Sequence, residues 1–250
     1  YGSLPHPNIL GGYLAVAIIL IIFNFSAQGG SASGGQFSNF LLSTIYYLLS
    51  TTFTAALFFT FSRGAWLALA LTLIIMLIYK FFANLRIANK ISIFLYFYIS
   101  IFLVFAFWQP FSARILGQGR LETASLTERE SSLEQALLII HEHPLWGVGI
   151  GNYTFALKQK NPTFSGWDLQ PPHNIFILIW AELGLIGLIF FLTFLFFLFR
   201  YLLSTNYYLL TTILLLGLFD HYLWSLYPGV MLFWLSCGLA ISTTRAKTAG

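Results

Sequence analysis

Long apolar segments separated by short polar ones run along most of the chain. A helix that spans a bilayer needs about 20 mostly apolar residues. Seven segments have this character, at residues 8–25, 40–61, 65–82, 91–108, 174–200, 207–224 and 226–243. The pattern therefore predicts an all-α fold, a polytopic bundle of about seven transmembrane helices. Tyr227-Pro228-Gly229 separates the last two segments, either as a tight turn or as a kink in one long element.

One polar segment, residues 109–173, interrupts this pattern and is predicted to be partly helical. Thr127 and Glu130 have the spacing of a capping box, which marks a helix N-terminus. The helix should present one apolar face, formed by Leu133, Ala136, Leu137 and Ile140. Pro144 should end it, and an irregular loop should follow with glycines at 147, 149 and 151.

The orientation follows from the basic residues of the short loops, which favour the cytoplasmic side of a membrane. Three such loops agree, because Lys80, Arg86 and Lys90, then Arg200, and then Arg245 with Lys247 fall on one side. We therefore expect three parts: helices 1–4 with a cytoplasmic basic loop at 80–90 (residues 1–108), a large extracytoplasmic loop (109–173), and helices 5–7 with a cytoplasmic tail (174–250).

The composition strengthens the membrane assignment. The chain is 58% hydrophobic and only 8% charged, whereas an ordinary soluble domain is about 25% charged. The net charge of +4 favours an anionic substrate or headgroup over nucleic acid, because no nucleic-acid-binding motif accompanies the basic residues. The single cysteine, Cys237, cannot form an intrachain disulfide. Since the chain starts at Tyr1, we expect it to be the C-terminal part of a longer protein.

Two polar residues at the ends of apolar segments are candidates for chemistry. Arg63 stands at the predicted outer junction of two spans, where a guanidinium can anchor the helix at the interface or bind phosphate oxygens. His173 follows two prolines and precedes a predicted span, where it can cap a helix or accept a proton. Glu182 lies within that span and should have a partner or face an aqueous cleft. Gly184 and Gly187 should allow another helix to pack closely.

Other polar clusters are weaker candidates. His141 and His143 flank Glu142, but no further metal ligands stand at a recognisable spacing, so no metal site is predicted. The glycine-rich stretch after Pro144 does not have the spacing of a dinucleotide-binding loop. Asp220 and His221, at a predicted outward helix end, either line the site or are ordinary interfacial polar residues.

Several of these motifs together resemble the superfamily of O-antigen ligases and O-antigen polymerases. The resemblance rests on His173-Asn174, followed after nine residues by Gly184-Leu-Ile-Gly187. It also rests on an Arg-x-x-x-Leu motif at 63–67, on the segment from "ERESSLEQ" to "HPLWGVGIGNY", and on "HPNILGGYL" and "LFDHYLW". Members of this superfamily usually have about ten to fourteen spans, so seven imply that N-terminal spans are missing here.

The resemblance implies a function. Such enzymes transfer a glycan from a polyprenyl-diphosphate carrier to an acceptor hydroxyl, on the outer face of the plasma (inner) membrane. It implies that His173 is the general base and that Arg63 stabilises the diphosphate. Arginines and polar residues that would bind substrate are Arg114, Arg120, Arg129, Asn174, Asp220 and His221. The implied reaction is inverting and metal-independent, and it needs no cofactor.

Three alternatives stay open from the sequence. The acceptor can be a lipid or core sugar, a growing polysaccharide as in the polymerases, or a protein hydroxyl. The chain can instead be a transporter of lipid-linked glycan, although no internal repeat supports this. It can also be a non-catalytic fragment, which the intact His-Asn-Gly-Gly spacing argues against.

Overall fold

The computed structural model describes residues 6–28, 36–82, 98, 101–102, 104–109, 112, 116, 120–166, 168–202 and 207–248. Within these ranges the protein is all-α and contains no strand. The helices are α1 (Pro7–Gln28), α2 (Gln36–Phe59), α3 (Arg63–Phe82), α4 (Arg120–Glu142), α5 (Tyr153–Lys160), α6 (Ile175–Leu202), α7 (Tyr207–Phe219), α8 (Tyr222–Ser225) and α9 (Tyr227–Thr248). They belong to two compact units, Tyr1–Leu116 and Gly117–Gly250.

The first unit is a set of apolar helices in close contact. Gly11 of α1 faces the start of α3, where an added Cβ would lie 2.9 Å from the Cβ of Ala65 and 3.0 Å from that of Ser62. Ser62 is buried, so its small side chain allows the close packing of α1 against the start of α3. A turn with Phe61 at φ 51° joins α2 to α3.

The predicted spans of this unit agree in part with the structure. Spans 8–25, 40–61 and 65–82 correspond to α1, α2 and α3. Most of the predicted span 91–108 and most of the basic loop 80–90 lie outside the described residues.

The core of the second unit lies where α4 and α5 pack on the first half of α6. Its fully or almost fully buried side chains are Ala136, Ile139, Ile140, Tyr153, Leu157, Leu178 and Ala181. Burial raises the pKa of Tyr153 well above its ordinary value, so its hydroxyl stays neutral and can donate to the Ser132 carbonyl, 3.4 Å away. Lys160 forms an ion pair with Glu142 that links the end of α5 to the end of α4; its hydrogen bond lowers the pKa of Glu142.

One prediction about α4 is wrong, and a second is correct only in part. The helix begins at Arg120 rather than near 127, and Thr127 is inside it with its hydroxyl donating to the Thr123 carbonyl at 3.1 Å. A threonine in a helix interior can satisfy its hydroxyl on the preceding turn, so the capping-box spacing gives a false start. Of the predicted apolar face, Ala136 and Ile140 are buried, whereas Leu133 and Leu137 are exposed, because Ser132 and Ile139 take their places on the buried face. The predicted end at Pro144 is confirmed, and the three following glycines have positive φ.

Helix α6 is broken at Gly184, whose φ of 69° and ψ of −176° are not helical. Backbone atoms of the loop 144–149 form hydrogen bonds with both sides of the break. Val148 N donates to the Ala181 carbonyl at 3.0 Å and Gly149 N to the Glu182 carbonyl at 2.8 Å. Beyond the break, Leu185 N donates to the Pro144 carbonyl at 2.9 Å and Ile186 N to the Leu145 carbonyl at 3.4 Å. Backbone groups that a broken helix leaves unpaired are thus satisfied by the loop.

The glycines of α6 therefore have a different role from the predicted one. A Cβ on Gly184 would lie 2.1 Å from the Leu145 carbonyl oxygen, and one on Gly147 would lie 2.4 Å from the Glu182 carbonyl oxygen. The atoms nearest a Cβ on Gly187 belong to Leu183 of the same helix. The prediction that Gly184 and Gly187 allow helix–helix packing is wrong, because Gly184 admits the backbone of a loop.

Among the described helices, α6 is the one with the length and apolar character to cross a membrane, judged by those two properties. Shorter apolar helices occupy 7–22, 44–59, 63–79, 207–219 and 227–242. The predicted span 207–224 is interrupted, because α7 ends at Phe219 and a separate short helix, α8, follows. Tyr227-Pro228-Gly229 begins α9, where proline is compatible with the first helical turn. The bundle of seven spans stays a prediction.

We expect Gly184→Ala to destabilise the protein by about 3 kcal/mol or more, since it adds both a strained φ/ψ and a clash with the loop backbone. The matched control is Gly151→Ala, because Gly151 has a φ of 73° but no atom within 4 Å of the added Cβ. Thermal unfolding of the two variants in detergent separates backbone strain from the clash. Equal stability losses in both would contradict the role of the loop contact.

Candidate active site

The chain enters α6 through a polar sequence that the structure uses as a helix cap. The Asn174 side-chain oxygen accepts hydrogen bonds from Phe176 N at 2.9 Å and Ile177 N at 3.2 Å. Its Nδ2 donates to the Leu218 carbonyl of α7 at 3.3 Å. Two prolines favour an extended approach to this cap. His173 is consequently held immediately before the first turn of α6 and close to the end of α7.

The break between α7 and α8 places a carboxylate beside this histidine. Asp220 Oδ1 lies 3.4 Å from His173 Nδ1. The two side chains are 10% and 17% exposed, respectively, so the contact is largely shielded from water. With its proton on Nδ1, the imidazole donates to Asp220 and keeps a lone pair on Nε2, the form that can accept a proton.

His221 completes this cluster. Its ring centroid lies 5.3 Å from that of His173, and its Nε2 lies 4.0 Å from Asp220 Oδ1. The backbone N of His221 donates to the same oxygen at 2.8 Å, while its Nδ1 lies 2.6 Å from Ser225 Oγ. The predicted grouping of His173, Asn174, Asp220 and His221 thus occurs within one unit.

Arg129 of α4 reaches the same break. Its Nη1 donates to the Phe219 carbonyl at 3.2 Å, one residue before Asp220. Its Nε is buried and has no hydrogen-bond partner among the described residues. A guanidinium offers five N–H donors, so Arg129 can support the Asp220 turn and still bind an anion.

Trp224 of α8 is a residue that the sequence did not single out. Its Nε1 donates to Glu182 Oε2 at 2.8 Å. Glu182 is buried, and the prediction that it has a partner is confirmed. The hydrogen bond fixes α8, and with it the Asp220 turn, to the first half of α6, which follows His173 and Asn174. The sequence indicated that Glu182 needs a partner, because a buried carboxylate in an apolar segment is costly. It did not identify Trp224 as the donor.

The other predicted site residues are not part of this cluster in the described structure. Arg63 is the first residue of α3 and belongs to the first unit. Arg114 lies outside the described residues, and Arg120 begins α4 with its side chain outside them.

His141 and His143 flank Glu142, which forms an ion pair with Lys160. Among the described residues, neither histidine belongs to a group of three possible metal ligands.

Comparison with known proteins identifies a family. The model of the family described as O-antigen ligase matches residues 47–192, which is more than half of the chain. The matched range includes Arg63, Arg129 and His173, whereas Asp220 and His221 lie beyond it. No curated protein and no solved structure matches the chain.

We expect Asn174→Ala to lower the stability of the protein by about 1 kcal/mol or more, because it removes a cap and the link to α7. Asn174→Asp should retain the cap, since a carboxylate oxygen accepts the same backbone hydrogen bonds. The matched control is Asn152→Ala, because Asn152 also donates from Nδ2 to a carbonyl at 3.3 Å, that of Val148, but precedes α5 without a side-chain cap hydrogen bond. Thermal unfolding in detergent measures all three. A loss for Asn152→Ala as large as that for Asn174→Ala would exclude a specific capping effect.

Proposed function

The chain belongs to the O-antigen ligase family, and from this premise we propose that it transfers a glycan from a polyprenyl-diphosphate carrier to an acceptor hydroxyl. The family and the long apolar helix α6 indicate a membrane-associated glycosyltransferase. The observation that carries the proposal is the contact between His173 and Asp220, which supplies an oriented, largely shielded base at a helix terminus.

His173 acts as the general base. Its Nε2 accepts the proton of the acceptor hydroxyl as that oxygen attacks the anomeric carbon of the donor sugar. A bond forms between the acceptor oxygen and the anomeric carbon, and the bond from that carbon to the diphosphate oxygen breaks. Direct attack inverts the configuration. Asp220 stabilises the imidazolium that forms and holds the ring by its Nδ1 proton, which is the role of the carboxylate in other histidine–carboxylate pairs.

Arginines stabilise the departing diphosphate. Positive groups fixed near a developing anion are often the largest contribution to catalysis, and guanidinium groups bind phosphate oxygens in a bidentate manner. The buried Nε of Arg129 has no partner in the part of the chain that the structure describes. This supports its role, because such a donor is a position at which an anion oxygen can bind. We assign the same role to Arg63, Arg114 and Arg120. With this much positive charge, transfer needs no metal ion.

We place the protein in the plasma (inner) membrane as a multi-pass protein of about seven spans, with the site facing outward. The basic residues of the short loops support this orientation. The carrier lipid lies between apolar helices, and its diphosphate is at the outer interface. Among acceptors we favour a lipid or core sugar, as in the ligases, over a second lipid-linked repeat unit, as in the polymerases.

His173→Ala should reduce glycan transfer about 10²- to 10⁴-fold, the usual contribution of a general base. The assay follows formation of the glycosylated acceptor from lipid-linked donor by the purified protein in detergent or liposomes. His141→Ala is the matched control, because His141 is exposed on α4 and should leave the rate unchanged. Undiminished transfer by His173→Ala would remove this residue from the mechanism. Donor movement across liposomes without any new glycosidic bond would instead identify a transporter.

Asp220→Asn should lower kcat about 10- to 100-fold with little change in KM, because the hydrogen bond to the charged imidazolium is lost only as the reaction proceeds. The double variant His173→Ala/Asp220→Asn should be no slower than His173→Ala alone, since Asp220 acts through the histidine. Independent, multiplying losses in the double variant would show that Asp220 acts on the substrate instead.

A further inference from the structure

We propose that His173, Asp220 and His221 form a binding site for a divalent transition-metal ion such as Zn²⁺, and that the bound ion inhibits glycan transfer. One nitrogen of each histidine and one carboxylate oxygen lie within 4.8 Å of one another. The inhibition rests on the proposed function, whereas the binding site rests on geometry alone.

The distances suit a zinc site. Zinc binds histidine nitrogen and carboxylate oxygen at about 2.0–2.2 Å, so two ligands of a tetrahedral ion are about 3.3 Å apart. Asp220 Oδ1 is 3.4 Å from His173 Nδ1 and 4.0 Å from His221 Nε2. A small movement of His221 towards the other two side chains therefore creates a three-ligand site. Two imidazoles and a carboxylate, with water as the fourth ligand, are a ligand set that zinc accepts in proteins.

The hydrogen bonds that position His221 and Asp220 also favour metal binding. A histidine that binds a metal usually donates its other ring N–H to a second polar group, which fixes the ring. His221 Nδ1 lies 2.6 Å from Ser225 Oγ, so its Nε2 is directed towards Asp220. The carboxylate is positioned in turn by the backbone N of His221 at 2.8 Å. Asp220 also supplies negative charge that partly balances a dication.

A metal ion at this position would disable the proposed base. Binding takes the lone pair of His173 Nδ1, so the ring proton moves to Nε2. That nitrogen can then no longer accept the proton of the acceptor hydroxyl. Asp220, which would stabilise the imidazolium, is occupied by the same ion. The ion thus competes with catalysis through two of the residues on which the reaction depends.

The test uses the purified chain in detergent, without a polyhistidine tag and freed of metal by a chelator. Co²⁺ serves as the spectroscopic probe, because its visible absorption reports the number and type of ligands. We expect one Co²⁺ per chain, displaced by Zn²⁺. Alanine variants of the three ligands should each weaken binding strongly. Ser225→Ala should weaken it about 10- to 100-fold, as the loss of an orienting hydrogen bond to a metal ligand does.

The control is the double variant His141→Ala/His143→Ala, which removes the other histidine pair of the chain and should bind Co²⁺ as the wild type does. Absence of Co²⁺ binding, or binding lost only in this double variant, would overturn the site.

Glycan transfer is then measured against Zn²⁺ concentration, relative to the metal-free rate of each variant. We expect Zn²⁺ to inhibit the wild type, with Ser225→Ala needing about 10- to 100-fold more Zn²⁺ for the same inhibition. Binding without inhibition would overturn the second half of the proposal. An inactive metal-free protein that still binds Co²⁺ would contradict the proposed function and leave the metal site standing.

Discussion

Four backbone hydrogen bonds between the loop 144–149 and the break at Gly184 are the constraint on which the second unit depends. A break in an apolar helix exposes carbonyl and amide groups that lipid cannot satisfy. The loop supplies the missing donors and acceptors on both sides of the break. It follows directly from the end of α4, so the same contact holds α4 against α6, and the core around Ala136 and Leu178 forms between them.

Polar chemistry in this chain is concentrated where helices begin or end. His173 and Asn174 precede α6, Asp220 and His221 stand between α7 and α8, and Arg63 opens α3. Placing a charged group inside an apolar span costs roughly 2.5 kcal/mol or more, whereas a helix terminus offers backbone partners and access to water. Glu182 is the exception within α6, and it is buried with the Trp224 indole as its donor. The cluster of His173, Asp220 and His221 therefore forms from helix termini of the second unit that packing brings together.

The features that the sequence predicted well are those set by local patterns. Apolar runs identified most helices, Pro144 marked the end of α4, and the spacing from His173 to Gly187 pointed to the family. Local patterns gave wrong or incomplete predictions where contacts between residues distant in the sequence determine the structure. The spacing at Thr127 indicates a cap, and only the structure shows that the helix starts at Arg120, about two turns earlier. The spacing at Gly184 indicates a glycine for helix packing, whereas its actual contact is a loop some 40 residues earlier in the sequence. His173 and Asp220 are 47 residues apart, and no spacing rule joins them.

The loop that closes the break makes these contacts with main-chain atoms, while the side chains of Leu145 and Trp146 are 52% and 75% exposed. The residue types in this loop are consequently less constrained than the number of its residues. Most side chains can change there without loss of a hydrogen bond, except at Gly147, which has no room for a Cβ, and at Gly149, whose φ of 96° favours glycine. A single inserted or deleted residue would shift every donor and acceptor out of register. In related chains this segment can diverge in residue type while the number of residues between the end of α4 and Gly149 stays fixed.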